Sequence, residues 1–379
     1  MKRLNKELLK SNVEKAAQYD FDNHKVFGSA YCVMQGDDIV YENCFGHTST
    51  DQKEPVTKNT IFRLASMTKP ITAVAALILV ERGVISLSDN VSDYLPEFKD
   101  ARITQIAETG EIIDLGKAQT DITIRHLLTH TSGFGSGTEK SKAMTDEDKK
   151  SIDNTIGFHL KAGLNFEPGT KQQYSGLGAF DVVAKIIEMR TGTDYLSFLQ
   201  KEIFEPCHMV NTTFVPTNKQ WGQIIAMHNK VDDKNVVAEM KKDCVMADYP
   251  CSHYLGGGGL ASTLDDYTRF AKMLLNRGKT PQKQILEEET FQLLHTPFGP
   301  KRSPNENWGL GVRVVVTEAH KNMPLGAFGW SGAYGSHFWI DPTNKIAAVF
   351  MKNSLFDGGS ANESARNFEI AVKNSFYLD

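Results

Sequence analysis

Ser66-Met67-Thr68-Lys69 is the only Ser-x-x-Lys in a chain of 379 residues. If a helix begins at this serine, positions i and i+3 share a face and the Lys69 amine reaches the Ser66 hydroxyl. A helix N-terminus carries partial positive charge, which disfavours a cation beside it and favours a negative oxygen on a bound substrate. A desolvated lysine there can act as a base, with the serine as nucleophile of an acyl transfer. Other reactive residue types read differently. His126 and His130 have the i, i+4 spacing of a metal pair, but no Glu follows the first histidine as His-Glu-x-x-His requires, so a structural role beside the Thr131-Ser132-Gly133 turn is expected. His253 and His337 lie near Gly256–Gly259 and the 329–335 segment; packed or exposed histidines are expected, with pocket lining as the alternative. The glycine run lacks the context of a phosphate loop and reads as a flexible entry to a helix capped by Ser262 or Thr263, with Asp265 and Asp266 following. No isolated pair of carboxylates suggests a glycosidase.

The elements that must position Ser66 follow from periodicity. Residues 66–82 carry a helical Ala/Leu/Ile/Val face, Pro70 falls in the first turn where a missing N–H costs little, and Gly83 stands where a helix stops. Leu4, Leu8, Val13 and Ala16 or Ala17 predict an opening amphipathic helix over residues 1–22. Residues 26–34 and 39–45 read as a hairpin turning at Gly36. From 84 to 300 helices and loops dominate, with helical periodicity over 123–129, 146–161, 178–190, 194–204 and 264–276. Strands return over 309–317, 337–340 and 346–352, and a last helix is expected over 361–375. Strands at both ends with helices between predict one sheet from the two termini. The expected organisation is a discontinuous α/β domain, 1–83 with 301–379, carrying Ser66, Lys69 and a strand at 330–333, and a mostly α-helical insertion, 84–300, carrying Tyr174.

Several segments occur in a telling order: 62–70 around Ser66; Ile124 to Gly133; Phe166-Glu167-Pro168-Gly169 with Tyr174-Ser175-Gly176; Gly256 to Leu260 with Ser262-Thr263; and Gly329-Trp330-Ser331-Gly332-Ala333-Tyr334-Gly335. Together they resemble the serine β-lactamase and penicillin-binding-protein superfamily, closest to its class C-like branch and the family VIII carboxylesterases, over roughly residues 25–375. The resemblance implies an α/β (α+β) fold with an antiparallel sheet flanked by helices. It makes Ser66 the nucleophile, Lys69 the partner that accepts its proton, and Tyr174 the residue that shares this proton and helps activate the deacylating water. The backbone N–H groups of Ser66 and Ala333 would form the oxyanion hole. Phe166 to Gly169 is expected to be a turn that delivers the tyrosine loop. Trp330, Ser331, Gly332 and Gly176 would bind substrate.

Two positions depart from the family pattern. Gly176 replaces the Asn of Tyr-x-Asn, removing a side-chain amide that would hold the lysine, and Trp330 replaces the Lys of Lys-Thr-Gly, removing a charge that attracts a substrate carboxylate. Both argue against efficient β-lactam or D-Ala-D-Ala chemistry, and an aromatic there suits an apolar acyl or alcohol group. The leading expectation is a cofactor-free carboxylesterase for small or medium acyl esters. The alternatives are a β-lactamase, a D-amino-acid peptidase or amidase, an acyltransferase, and a non-catalytic binding protein.

Composition narrows the field without choosing within it. Forty-two Lys and Arg against 46 Asp and Glu give a net charge of −4, which offers no electrostatic footprint for nucleic acid. The longest apolar stretch, 71–80, is far short of a membrane span. The first ten residues lack the apolar core of a secretory signal, so a cytoplasmic location is expected. The five cysteines, Cys32, Cys44, Cys207, Cys244 and Cys251, show no Cys-x-x-Cys spacing and are expected to be reduced structural thiols. A small-molecule ester or amide is the only partner expected; no metal or cofactor is.

Overall fold

β1 (Gly28–Gln35) and β2 (Asp38–Gly46) form an antiparallel hairpin whose turn holds Gly36 at φ +61°, a left-handed conformation that suits glycine. The structure, a computed structural model, describes all residues except 110, 136–143, 241–244, 247–252, 361, 378 and 379. Short strands follow: β3 (Ile61–Arg63), β4 (Arg102–Ile106), β5 (Ile112–Lys117), β6 (His228–Val231), β7 (Lys234–Val237) and β8 (Ala261–Thr263). The C-terminal part supplies β9 (Glu306–Trp308), β10 (Arg313–Val315), β11 (Phe328–Ser331), β12 (His337–Asp341) and β13 (Ile346–Met351).

Seven strands make one antiparallel sheet in the order β2-β1-β13-β12-β11-β10-β9, with Ala30 opposite Met351 where the two chain ends meet. The sheet is covered on both faces, so every residue of β12 and β13 is buried; β13 reads as a continuous apolar run, and β12 as Phe338-Trp339-Ile340 between His337 and Asp341. On one face Tyr31, Val33, Trp339 and Phe350 pack with Leu9, Val13 and Ala17 of the helix Lys6–Asp22 and Phe368 of the helix Glu363–Lys373. On the other, Cys32, Phe338, Val349 and Met351 join a cluster containing Tyr267 and Phe270 of the helix Leu264–Leu275 and Val74, Leu77 and Ile78 of the helix Thr68–Glu81. Burying a side chain such as Leu77 is worth about 2 kcal/mol, which makes that helix a fixed base for whatever stands at its N-terminus.

The structure departs from the sequence expectations at several places. Leu8 is exposed and Leu9 buried, because the helix starts at Lys6 and its inward face runs through Leu9, Val13, Ala17 and Asp20; Leu4 precedes it and bridges to Phe376. The run 309–317 is not one strand: a turn at 309–312, with Gly311 at φ +70°, separates β9 from β10. The strand expected at 330–333 is β11, ending at Ser331, so Gly332 and Ala333 belong to the turn after it. The helix expected over 146–161 begins at Ile152, capped by Ser151, whose hydroxyl accepts from Asn154 N–H. The 84–300 segment holds the antiparallel hairpins β4–β5 and β6–β7. Ile112, Ile113 and Leu115 of β5 are all exposed, so burial imposed no alternation for the sequence to reveal. Among the described residues no helix is long and apolar enough to cross a membrane.

Candidate active site

Ser66 lies in a 3-10 turn, Ala65–Met67, that leads into the helix Thr68–Glu81. The turn is anchored from several sides. Asn353 clamps β3, accepting from Arg63 N–H at 2.9 Å and donating to Arg63 O at 2.9 Å. Leu64 N–H donates to Leu260 O at 2.8 Å, and the Tyr267 hydroxyl donates to Met67 O at 2.9 Å. Ala65 takes φ +45°, a strained value for a residue with a Cβ, held in place by these contacts.

Lys69, one turn on, is fully buried. Its Nζ lies 3.2 Å from Ser66 Oγ, 2.5 Å from Gly176 O and 2.7 Å from Gly257 O, all within hydrogen-bond reach. The Tyr174 hydroxyl donates to Ser66 Oγ at 2.8 Å and receives the Trp330 indole N–H at 3.4 Å. The fold thus brings Ser66, Lys69, Tyr174, Gly176 and Trp330 together. Gly176 holds the lysine through its backbone carbonyl, which needs no side-chain amide.

The glycine run is packed, not flexible. A Cβ on Gly256 would lie 2.1 Å from Phe180 O, and one on Gly257 would lie 2.8 Å from Leu177 Cα. This close approach lets Gly257 O reach Lys69 and Gly256 O accept from Thr72 Oγ1 at 2.6 Å. Gly257 N–H donates to Asp181 at 3.2 Å; complete burial pushes this carboxyl up to about 6 against the opposing Gly257 N–H and the charge of Lys69. Asp181 and Gly257 were not singled out from sequence as site residues; the four consecutive glycines were the available signal of close backbone approach.

An aromatic wall supports Tyr174. His130 stands 4.6 Å from its ring, Trp308 5.9 Å and Trp330 5.3 Å between centroids. His130 is buried and its Nδ1 accepts from Ser175 N–H at 3.0 Å. Burial, with the charges of Lys69 and Arg302, pushes this histidine well below its ordinary range, so it is neutral at pH 7. His126 closes a capping box with Thr123. Both histidines thus serve structure.

The last motif completes the wall. A Cβ on Gly332 would lie 2.3 Å from Leu64 O, so glycine allows the turn after β11 to sit against the turn carrying Ser66, with Ala333 exposed beside it. Ser331 Oγ lies 2.8 Å from Nδ1 of the buried His337, whose Nε2 is 3.1 Å from Glu369. His337 therefore packs behind a predicted substrate-binding residue instead of lining a pocket. Cys32, Cys44 and Cys207 are free thiols, the first and third buried; Cys244 and Cys251 lie outside the described residues. A cavity of about 800 Å³ against Phe291 and His295 contains none of these groups.

A sequence model of the protein family described as "Beta-lactamase" matches residues 9–372. The chain is 26% identical to "Esterase EstB" of Burkholderia gladioli, with 93% of this chain and 91% of the relative covered. It is 26% identical to "ML-236A carboxylate methylbutanoyltransferase mlcH" of Penicillium citrinum, covering 81% and 75%. The solved structure titled "EstCE1, a hydrolase with promiscuous acyltransferase activity" superposes with a TM-score of 0.81 at 23% identity over 97% of this chain and 99% of that one, and shows the same fold.

Proposed function

The chain belongs to the Beta-lactamase family of serine hydrolases, and from that premise we propose that it is a carboxylesterase working through an acyl-enzyme on Ser66. The observation that carries this reading is the placement of Ser66 Oγ between Lys69 Nζ at 3.2 Å and Tyr174 Oη at 2.8 Å. With Lys69 as the neutral amine, Ser66 Oγ attacks the ester carbonyl and its proton passes to the Lys69–Tyr174 pair, held on the lysine. The Ser66 and Ala333 N–H groups receive the charge that develops on the carbonyl oxygen. The tetrahedral intermediate collapses, the C–O bond to the alcohol breaks, and the same pair returns the proton to the alcohol. Water, passing its proton through the Tyr174 hydroxyl to Lys69, then attacks the acyl-serine; the acid is released and the proton returns to Ser66 Oγ. Trp330 stands uncharged where a lysine would recruit an anion, which favours esters over penicillins.

The relative named as an esterase supports hydrolysis, and the one named as a methylbutanoyltransferase supports a second reading in which an alcohol replaces water in the second step. Hydrolysis of p-nitrophenyl acetate and butyrate, with a loss of at least about 10³-fold in Ser66→Ala, is the expected result. Retention of most activity by that variant overturns the mechanism. Nitrocefin and D-alanyl amides test the β-lactamase and peptidase alternatives, and new ester formed with added alcohol identifies acyl transfer.

A further inference from the structure

A cation stands over the aromatic wall of this site. Arg302, in the loop before β9, places its guanidinium carbon 5.6 Å from the ring centre of Trp330 and 5.3 Å from that of Trp308. Trp330 in turn donates its N–H to Tyr174, so the guanidinium lies one ring away from the hydroxyl that bonds Ser66. About a quarter of the Arg302 side chain, 23%, is exposed. Its Nη1 donates to Glu306 Oε2. Glu306 is already shared: its Oε1 lies 3.1 Å from Arg313 and 3.3 Å from His320. Arg313 also pairs with Glu369 at 3.2 Å. One carboxylate thus anchors two guanidiniums, and only one of the five N–H bonds of Arg302 is used in the hydrogen bonds found among the described residues. A guanidinium laid on indole faces keeps its edge available, and that edge matches a carboxylate with two parallel hydrogen bonds.

We propose that Arg302 is the specificity-determining residue of this site and takes a carboxylate carried by the substrate ester. The proposal rests on the Ser66 esterase reading and sharpens its substrate class: an ester whose acid or alcohol part carries a charged end held by Arg302. The carboxylate could belong to the acyl part, as in a half-ester of a dicarboxylic acid, or to the alcohol part, and the same chemistry would recognise either.

The test compares matched esters. p-Nitrophenyl hemiglutarate against p-nitrophenyl valerate places the charge on the acyl side; 3-acetoxybenzoate against phenyl acetate places it on the leaving group. The readout is the ratio of kcat/KM, anionic over neutral, in wild type, Arg302→Met and Arg302→Lys. Methionine keeps an apolar stem over the indoles, and lysine keeps the charge. In one arm the ratio falls at least tenfold in Arg302→Met and is partly restored in Arg302→Lys, and that arm identifies which side carries the charge. A ratio that stays within twofold in both arms overturns the proposal and leaves Arg302 a rivet for Trp308 and Trp330, because a structural role lowers both members of each pair together. If wild type hydrolyses no ester and Ser66 takes up no fluorophosphonate, the esterase reading fails instead. Titration with monomethyl glutarate, followed by tryptophan fluorescence, then decides Arg302 alone: binding lost in Arg302→Met upholds it, and equal or absent binding overturns it.

Discussion

Lys69 and Lys352 are both wholly buried, and they are held in opposite ways. Lys352 meets a carboxylate: its Nζ lies 2.6 Å from Asp357 and 2.9 Å from the Ser364 hydroxyl. Burial and then the charge of Lys352 act against each other on Asp357, and the lysine prevails, holding the carboxyl at about 2. Lys69 meets neutral oxygens only, two of them backbone carbonyls, and Asp181 reaches it through the Gly257 peptide. A cation locked to a carboxylate is a structural rivet, whereas one cradled by neutral acceptors stays available to exchange a proton with the hydroxyl beside it. The proposed chemistry thus uses the lysine without an ion pair.

Substitution of each lysine breaks the comparison most directly. Lys69→Met should lower kcat/KM for a p-nitrophenyl ester by at least about 10³-fold. Lys352→Met should instead cost about 3 kcal/mol of stability, read by urea unfolding, because it leaves Asp357 with only the more distant Lys25, at 3.9 Å, as a charged partner. The sign with pH follows from Asp357. Its folded value lies below the ordinary 3.8, so the stability from this pair is full above about 4 and is lost as pH falls from there towards 2. Lys352→Met should flatten that loss; an unchanged acid limb would show that the pair is not what holds the β13 end of the sheet.

A smaller change tests the cradle itself. In Gly257→Ala the new Cβ would press on Leu177 Cα at 2.8 Å and Gly176 O at 2.9 Å, moving both carbonyls that hold Lys69. A drop of about 100-fold in kcat is expected, as for a displacement near 1 Å. Gly258→Ala, whose Cβ would meet nothing closer than 3.4 Å, is the matched control and should stay near wild type. Equal rates in the two variants would remove Gly257 from the site.

Asp181→Asn should have the smallest effect. Burial raises this carboxyl to about 6, so its contribution to stability is present below about 4 and lost as pH rises through 6. The asparagine variant should lack that loss and melt later than wild type at pH 8, by the equivalent of about 1 kcal/mol, with no difference at pH 4. Parallel melting curves across that range would mean that Asp181 does not titrate in the folded protein.

The sequence by itself determined the order of the parts: a serine and a lysine one turn apart on an apolar helix, a tyrosine loop, a tryptophan turn, and strands at both ends that had to share a sheet. These are legible because i, i+3 spacing and hydrophobic period are local properties of the chain. It did not show β5, whose apolar residues face solvent, or the turn at Gly311 that confines the strand of the 309–317 run to β10 and sets β9 ahead of it. Nor could it show that Gly257, 188 residues from Lys69, supplies a carbonyl to it, or that Arg302 lies over Trp330. A backbone oxygen has no signature in the amino-acid alphabet, and a stacking contact between distant loops leaves no period. Those parts were decided by tertiary packing, which brings the glycine run against Phe180 and so sets the lysine among neutral oxygens.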